Sequence, residues 1–138
     1  MIKTIEWTPD NRLRLLDQTK LPVEETYIDL DTLDAVIEAI QSLRVRGAPA
    51  IGVSAAYGMV IAADSISEKD PNGYLSRLRQ LADQLVAARP TAVNLSWAVE
   101  SIMKDLGKQT FNSTSEIGSF ILERAKTIHA DDAQRCDT

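Results

Sequence analysis

Residues 48–63 constrain the fold more than any other part of the chain, because almost all of them are apolar. The segment is shorter than a bilayer span, and Gly52, Ser54 and Gly58 interrupt it. A helix that is apolar on every face has to be covered on every face. We therefore predict a buried helix at the centre of a bundle, and a chain of 138 residues is long enough to surround it.

Apolar residues at helical spacing predict one helix before this segment and three helices after it. The positions that form the pattern are Leu33, Val36, Ile37, Ile40 and Leu43, then Leu75, Leu78, Leu81, Ala82 and Leu85, then Leu95, Ala98, Val99 and Ile102, and finally Ile117, Phe120, Ile121, Leu122 and Ile128.

Polar residues, glycines and prolines indicate where these helices begin and end. We predict Asp31 as the first N-cap and residues 64–73 as a polar loop with a Pro-Asn-Gly turn. The third helix is expected to end before Pro90 and the fourth near Gly107. A capping box at 113–116 is expected to begin the fifth.

Residues 1–30 show a different pattern, in which short apolar runs are separated by Pro, Asp and Asn. Such runs predict a three-stranded antiparallel β-meander. Strand–helix–strand alternation is missing, so we expect no dinucleotide-type α/β sheet. The predicted fold is α+β and mainly α. It is one domain over residues 1–138, with the meander (1–30) preceding a bundle of about five helices (31–138).

Charge and composition narrow the classes of function. A net charge of −5 argues against nucleic-acid binding, and an anionic ligand would have to be held by local positive groups. No secretory signal and no membrane helix are recognised, and with the single cysteine, Cys136, this predicts a cytoplasmic protein. One cysteine and one histidine, His129, offer no metal-ligand cluster, and we predict no metal or other cofactor.

Two arginines, Arg44 and Arg46, stand directly before the central helix. Pro49 suits the first helical turn, where its missing N–H costs nothing. The free N–H groups of the helix start, the positive end of the helix dipole and the guanidinium of Arg46 together suit a phosphate or a carboxylate. The alternative interpretation is a surface arginine before a core helix.

A second run repeats this arrangement, with Arg89 and Pro90 directly before the fourth helix. If the two helix starts converge, Arg46 and Arg89 share one phosphate; otherwise Arg89 is a solvated charge at a helix end. Asn94 and Trp97 lie three residues apart on one helical face. We expect Trp97 in the core, whereas Asn94 either positions a ligand hydroxyl or satisfies a local backbone group.

The remaining reactive side chains predict no catalytic group. His129 is interpreted as a helix-surface or packing residue. Cys136 lies near the end of the chain, where a preorganised nucleophile is not expected. We find no Ser–His–acid set and no glycine-rich loop of the P-loop type. The residues by themselves predict an anion-binding helical domain without a general base or nucleophile.

The two arginine runs resemble the signatures of a known family. VRGAPAIG at 45–52 with AAYG at 55–58, and RPTAVNLSWA at 89–98, resemble in order and separation the two signatures of the S-methyl-5-thioribose-1-phosphate isomerases. IEW at 5–7 and LP at 21–22 also fit, so that the resemblance extends over essentially the whole chain.

The resemblance implies an aldose–ketose isomerase of methionine salvage, which converts 5-methylthioribose 1-phosphate to 5-methylthioribulose 1-phosphate. It implies that Arg46, Gly47, Ala48 and Arg89 bind this phosphorylated sugar. Relatives of the family include the regulatory subunits of the guanine nucleotide exchange factor of translation initiation and a ribose-1,5-bisphosphate isomerase. A protein-interaction module and that second isomerase are therefore the alternative functions.

The chain departs from the family in its length. Family members are more than twice as long, and their second half is a Rossmann-like domain with a catalytic cysteine and a catalytic aspartate. Cys136 lacks the motif around that cysteine, so no catalytic role is transferred to it. We expect an N-terminal, substrate-binding portion that is inactive alone, with the Rossmann-like half as its partner. Its exposed apolar surface should favour homo-oligomers.

Overall fold

Three β-strands precede five α-helices in the computed structural model, which describes residues 5–10, 12–16, 27–42, 48–89 and 92–136. The strands are β1 (Ile5–Trp7), β2 (Leu13–Leu16) and β3 (Tyr27–Leu30). The helices are α1 (Leu33–Gln41), α2 (Ala48–Asp64), α3 (Pro71–Ala87), α4 (Val93–Gly107) and α5 (Thr114–Cys136). This order confirms the predicted α+β fold.

The sheet has the strand order β1-β2-β3 with both pairs antiparallel, which confirms the meander. Side-chain alternation determines its two faces. Leu13 and Leu15 are buried in the same core as the helices. Arg14, between them, donates two hydrogen bonds to the Asp29 carboxylate on β3, at 2.8 and 3.1 Å. These hydrogen bonds hold the pKa of Asp29 below its ordinary value.

Helix α2 occupies the centre of the bundle, as its composition predicts. Every residue from 51 to 63 is buried. The helix contacts α1, α3, α4 and α5 and also β1 and β2. The surrounding helices each turn one apolar stripe inward; examples are Leu78 and Leu85 of α3 and Ile102 of α4. Burial of α2 on all faces therefore joins the sheet and the surrounding helices in one hydrophobic core.

The predicted N-cap of α1 is wrong by one residue. Thr32, and not Asp31, precedes the helix, and its Oγ1 accepts a hydrogen bond from the Ala35 N–H at 3.1 Å. Threonine and aspartate both cap helices, so that composition does not distinguish the two neighbours. The backbone geometry distinguishes them and identifies Thr32 as the N-cap.

The predicted turn at 71–73 is also wrong, because these residues form the first turn of α3. Asp70 is the N-cap, and its carboxylate accepts from the Gly73 N–H at 3.2 Å. Pro71 occupies the first helical turn, where it sacrifices no intrahelical hydrogen bond. The same residue types are typical of turns and of helix starts, and this ambiguity caused the error.

The capping box that was predicted for α5 forms with one change. The N–H of Glu116 donates to Ser113 Oγ at 3.4 Å. The carboxylate of Glu116 accepts from the N–H of Asn112 at 2.8 Å. In the standard box this carboxylate bonds to the N-cap N–H, so here the return bond reaches one residue further back.

The described residues contain no helix that combines the length and the apolar composition needed to cross a membrane.

Candidate functional site

The first turns of α2 and α4 lie side by side. Gly52 is one turn into α2 from its start at Ala48, and Asn94 is the second residue of α4. A Cβ atom added to Gly52 would lie 3.2 Å from the carbonyl oxygen of Asn94. Because one turn rises only about 5 Å, the two N-terminal helix ends occupy the same region of the molecule. An anion shared between two helix starts requires this arrangement of the backbone.

Arg89 lies half-buried between the end of α3 and the start of α4. Its N–H donates to the carbonyl of Val86 at 3.3 Å, and its carbonyl accepts from the N–H of Ala92 at 2.9 Å. Among the described residues no carboxylate forms an ion pair with its guanidinium, whereas Arg14 and Arg79 each have acidic partners. Arg89 therefore retains donors for an anion from outside this part of the chain.

The start of α4 has no side chain that caps it. Its N-cap is Ala92, and the first intrahelical bond runs from the N–H of Ser96 to the Ala92 carbonyl at 3.2 Å. Capping side chains are present at α1, α3 and α5. Free N–H groups and the positive end of the helix dipole are thus available at α4, next to Arg89. A phosphate or a carboxylate accepts hydrogen bonds from such N–H groups and is attracted by the positive end of the dipole.

The structure describes the four predicted binding residues to different extents. Arg46 and Gly47 lie outside the described residues. Ala48 is the first residue of α2, and Arg89 stands just before α4. The backbone positions of Ala48 and Arg89 therefore belong to two helix starts that lie close together. The arrangement suits binding and orientation of an anion by cationic and N–H donors.

The prediction that Trp97 belongs to the core is wrong, because 56% of the residue is exposed. The buried stripe of α4 includes Leu95 and Val99, and each is two residues from Trp97. At 3.6 residues per turn, two residues correspond to about 200°, so that Trp97 lies on the opposite face. Val93, one turn before it, is 76% exposed. The helical periodicity of the sequence, with Leu95 and Val99 on the buried stripe, already indicates this exposed position.

An aromatic cluster joins β1, α2 and α5. Trp7 of β1 stacks on Tyr57 with ring centroids 5.0 Å apart and an interplanar angle of 7°. The Tyr57 hydroxyl lies 2.7 Å from Nδ1 of His129 on α5. Burial raises the pKa of Tyr57 to about 12, so that the hydroxyl keeps its proton at neutral pH. Which of the two groups donates in this hydrogen bond depends on the tautomer of His129. His129 is thus a packing residue, one of the two roles predicted for it.

We expect the free energy of unfolding to fall as the pH rises from about 10 to about 12. Burial raises the pKa of both Tyr57 and Tyr74 to about 12, whereas unfolded tyrosine titrates near 10. A raised folded-state pKa stabilises fully below the unfolded value, and this contribution is lost above it. By about pH 11 the loss should be about 1 kcal/mol per tyrosine.

Urea denaturation at about pH 9 and about pH 11 measures this loss of stability. Tyr57→Phe should lose less stability than the wild type over this interval, because one of the two shifted groups is removed. Equal losses in both proteins would contradict the assignment to Tyr57.

The described residues contain no group of three His, Cys, Asp or Glu side chains that could hold a metal ion. Of the described residues, Arg89 offers a guanidinium to the candidate site and the start of α4 offers N–H groups. Such groups bind and neutralise an anion, but they do not remove a proton from carbon at neutral pH.

Comparison with curated proteins identifies similar isomerases. The methylthioribose-1-phosphate isomerase of Bacillus licheniformis is 39% identical over 134 residues, which cover 97% of this chain and 37% of that protein. The 5-deoxyribose 1-phosphate isomerase of Bacillus cereus is 42% identical over 130 residues, which cover 94% of this chain and 37% of that protein. The chain thus spans 37% of the length of each.

Two solved structures have the same fold over nearly all of this chain. The 5-methylthioribose 1-phosphate isomerase of Pyrococcus horikoshii matches with a TM-score of 0.88 and 30% identity, over 95% of this chain and 36% of that one. Subunit delta of the translation initiation factor eIF-2B from A. fulgidus matches with a TM-score of 0.87 and 33% identity, over 96% of this chain and 38% of that one.

The sequence profile of the initiation factor 2 subunit family matches residues 44–138. The matched region includes α2 to α5 and therefore both helix starts and Arg89. On this match, which covers more than half of its length, the chain belongs to the initiation factor 2 subunit family.

Proposed function

We propose that this chain binds the phosphate of a pentose 1-phosphate and forms the substrate-binding part of an aldose–ketose isomerase for 5-methylthioribose 1-phosphate. The observation that supports this most strongly is the convergence of the α2 and α4 starts beside Arg89. Isomerase relatives at 39% and 42% identity support the choice of ligand.

In this proposal each binding residue has a separate role. The guanidinium groups of Arg46 and Arg89 donate charge-assisted hydrogen bonds to the phosphate oxygens. Gly47 allows the backbone to approach the phosphate without a side chain in between. Ala48 opens α2, whose first N–H groups bind the same anion as those of α4. In this proposal two guanidinium groups and the N–H groups of two helix starts hold the phosphate in an otherwise acidic chain.

Isomerisation moves a proton between C1 and C2 of the sugar, and that step needs a positioned acid and base. The proposed binding groups are cations and N–H donors, which supply neither. We therefore infer that the chain binds the substrate without converting it, and that the acid and base belong to a Rossmann-like partner half. An isomerase assay of this chain alone should give no turnover, and turnover would contradict the inference.

Arg89→Ala should weaken the binding of 5-methylthioribose 1-phosphate by roughly tenfold to a hundredfold, as expected for the loss of hydrogen bonds to a charged group. Isothermal titration calorimetry measures the change, and inorganic phosphate should compete with the sugar. Arg46→Ala should behave similarly. Arg77→Ala is the control, because Arg77 is exposed on α3 and its guanidinium bonds to Gln80. Equal affinities of the wild type and Arg89→Ala would contradict the proposal.

The alternative candidate is a protein-interaction module. The similarity to subunit delta of a translation initiation factor favours it, at a TM-score of 0.87. Such a module needs no sugar, so that wild type, Arg46→Ala and Arg89→Ala would all give the same weak heats. Self-association of the chain stays a prediction under both proposals, and static light scattering measures it.

A further inference from the structure

The C-terminal end of α2 has an unfavourable distribution of charge. The helix ends at Asp64, and its last turn contains no basic residue. Partial negative charge accumulates at the C-terminal end of a helix, so that a carboxylate there is repelled. Asp34 of α1 and Glu116 of α5 lie in first turns, where the same interaction is favourable. The position of Asp64 therefore lowers the stability of the free chain, and folding does not account for it.

The carboxylate of Asp64 has no cationic partner in the part of the chain that the structure describes. The ion pairs there involve other carboxylates, such as Asp29, Asp83 and Asp105. Desolvation raises the pKa of Asp64, and burial together with the charge of Asp64 raises the pKa of Tyr74. This negative charge is consequently left for a cation from outside the described residues.

Asp64 lines a cavity of about 410 Å³ between the end of α2, the start of α3 and the start of α5. Cavities of this size hold small molecules. None of the described residues that line it is a lysine, an arginine or a histidine. Its lining is both polar and apolar, with Asp64, Ser115 and Ser119 among the polar residues and Val60, Ile66 and Leu122 among the apolar ones. The cavity thus combines a negative charge, hydroxyl groups and an apolar surface.

A second cavity, of about 510 Å³, continues along α5 and shares both serines with the first. The rings of Phe111 and Phe120 line it, with centroids 5.7 Å apart. Its charged lining residues, among those that the structure describes, are Glu116 and Glu123. Aromatic rings and carboxylates both attract cations. In the described part of the chain, the charged side chains that line the two neighbouring cavities are therefore all negative.

The start of α5 at the first cavity does not reverse this charge. Its N–H groups and its dipole by themselves favour an anion. Glu116 in the first turn opposes this effect, and its carboxylate accepts a hydrogen bond from the Asn112 N–H at 2.8 Å. Ser113 caps the same helix through the Glu116 N–H. A cation is therefore favoured over an anion.

We propose that the cavity beside Asp64 binds an aliphatic primary amine, whose ammonium group contacts the carboxylate and whose alkyl chain packs against the apolar lining. An ammonium group has three donors, and the hydroxyls of Ser115 and Ser119 are acceptors for those that Asp64 leaves free. A metal ion fits less well, because the described residues provide no group of three metal-ligating side chains and the apolar lining would be unused.

The proposed amine site and the candidate phosphate site lie at opposite ends of the same helix. Helix α2 has 17 residues, so that its two ends are about 24 Å apart. The dipole of α2 favours an anion at Ala48 and a cation at Asp64. The amine site uses none of the residues assigned to the phosphate, so its test does not depend on the proposed function.

Isothermal titration calorimetry of this chain with four probes tests the proposal. Butylammonium should bind about tenfold more tightly than methylammonium, because its additional methylene groups are partly removed from water. Butyrate has a similar apolar chain but the opposite charge, and it should not bind. Nα-acetyllysine amide carries the same alkylammonium group on a peptide unit. It should bind no more tightly than butylammonium, because the proposed ligand is a free amine.

Two carboxylates at opposite helix ends provide a matched pair of variants. Asp64→Asn should weaken butylammonium binding by about tenfold or more, since a charge-assisted hydrogen bond is lost. Asp34→Asn makes the same change of charge on the exposed first turn of α1 and should leave the affinity unchanged. Leu122→Ala should reduce the preference for butylammonium over methylammonium to about threefold, because part of the apolar lining is removed.

The stability of the two asparagine variants separates a binding role from a structural one. Asp64→Asn should raise the urea midpoint, because it removes a repelled charge, whereas Asp34→Asn should lower it. Far-UV circular dichroism checks that each variant is folded.

Several results would overturn the inference. Failure of butylammonium to bind, or equal affinities of the wild type and Asp64→Asn, would exclude the site. Binding of butyrate as tight as that of butylammonium would show that only the apolar lining acts. Tighter binding of Nα-acetyllysine amide would identify the occupant as a lysine of another protein and not as a free amine. A lowered urea midpoint in Asp64→Asn would show that the carboxylate stabilises the fold.

Discussion

Gly52→Val should destabilise the folded chain by about 3 kcal/mol, at the upper end of what overpacking in a core costs. The added Cβ would lie 3.2 Å from the Asn94 carbonyl oxygen and 3.4 Å from the Asn94 Cβ. The nearest of these is a backbone atom inside α4, so that no single side chain can rotate out of the way. The two γ-methyl groups of valine require still more space. Helices α2 and α4 would have to separate at their first turns.

Urea denaturation followed by far-UV circular dichroism measures this effect. Gly118→Val is the matched control, because Gly118 lies in α5 and a Cβ there meets nothing within 4 Å. Valine has a slightly better helix propensity than glycine, so we expect the control to be neutral or stabilised by up to about 0.5 kcal/mol. Equal destabilisation of both variants would show that helix propensity, and not the α2–α4 contact, determines the result.

Gly52→Val also separates stability from function. Moving the two helix starts apart disrupts the arrangement that the proposed phosphate site requires. We therefore expect the variant to bind 5-methylthioribose 1-phosphate more weakly even where it is fully folded, whereas Gly118→Val should bind as the wild type does.

Leu85→Ala should destabilise the chain by about 3 kcal/mol, the usual cost of a leucine-sized cavity in a rigid core. Leu85 is fully buried, and its Cδ2 and Cδ1 atoms lie 3.2 and 3.7 Å from where a Cβ of residue 58 would be. Gly58→Ala alone should cost no more than about 1 kcal/mol, because the better helix propensity of alanine offsets part of the overpacking. In the double variant the new methyl group enters the cavity, so that the total cost should be smaller than the sum.

A double-mutant cycle measured by urea denaturation gives this coupling free energy, which we expect to be about 1 kcal/mol. The contact of residue 58 with Cγ1 of Val36, also at 3.2 Å, persists in the double variant and limits the recovery. Leu106→Ala provides the control, because Leu106 is buried but is not among the neighbours nearest to Gly58. Additive costs in the Leu85 cycle would contradict the packing of α3 against α2.

Local sequence patterns predicted the elements but not all of their boundaries. The alternation around Leu13 and Leu15 and the helical stripe of α4 were both correct. Asp31 and Pro71 were assigned wrongly, since the same side chains suit a cap, a turn or a first helical turn. A cap, a turn and a first helical turn each need hydrogen bonds that a neighbouring residue can also form. The residue type alone therefore does not decide which of the three structures a residue adopts.

The sequence likewise identified some features of the candidate site and not others. The sequence identified Arg89 and its position before a helix, because an arginine, a proline and an apolar stripe follow one another along the chain. It did not identify the exposed position of Trp97, although the periodicity around Leu95 and Val99 contained it. The contact of Gly52 with Asn94 has no local signal, because it joins residues from two helices.

The sequence by itself determined the order of strands and helices, the burial of α2 on all faces, and the two arginines that precede helices. These features depend on residues within one or two turns of each other, where periodicity and helix-start chemistry act. Only the tertiary structure decided that the α2 and α4 starts lie together, that Trp97 faces outward beside them, and that His129 and Tyr57 share a hydrogen bond. Contacts between elements depend on how all the side chains of the core pack at once, and no single segment contains that information.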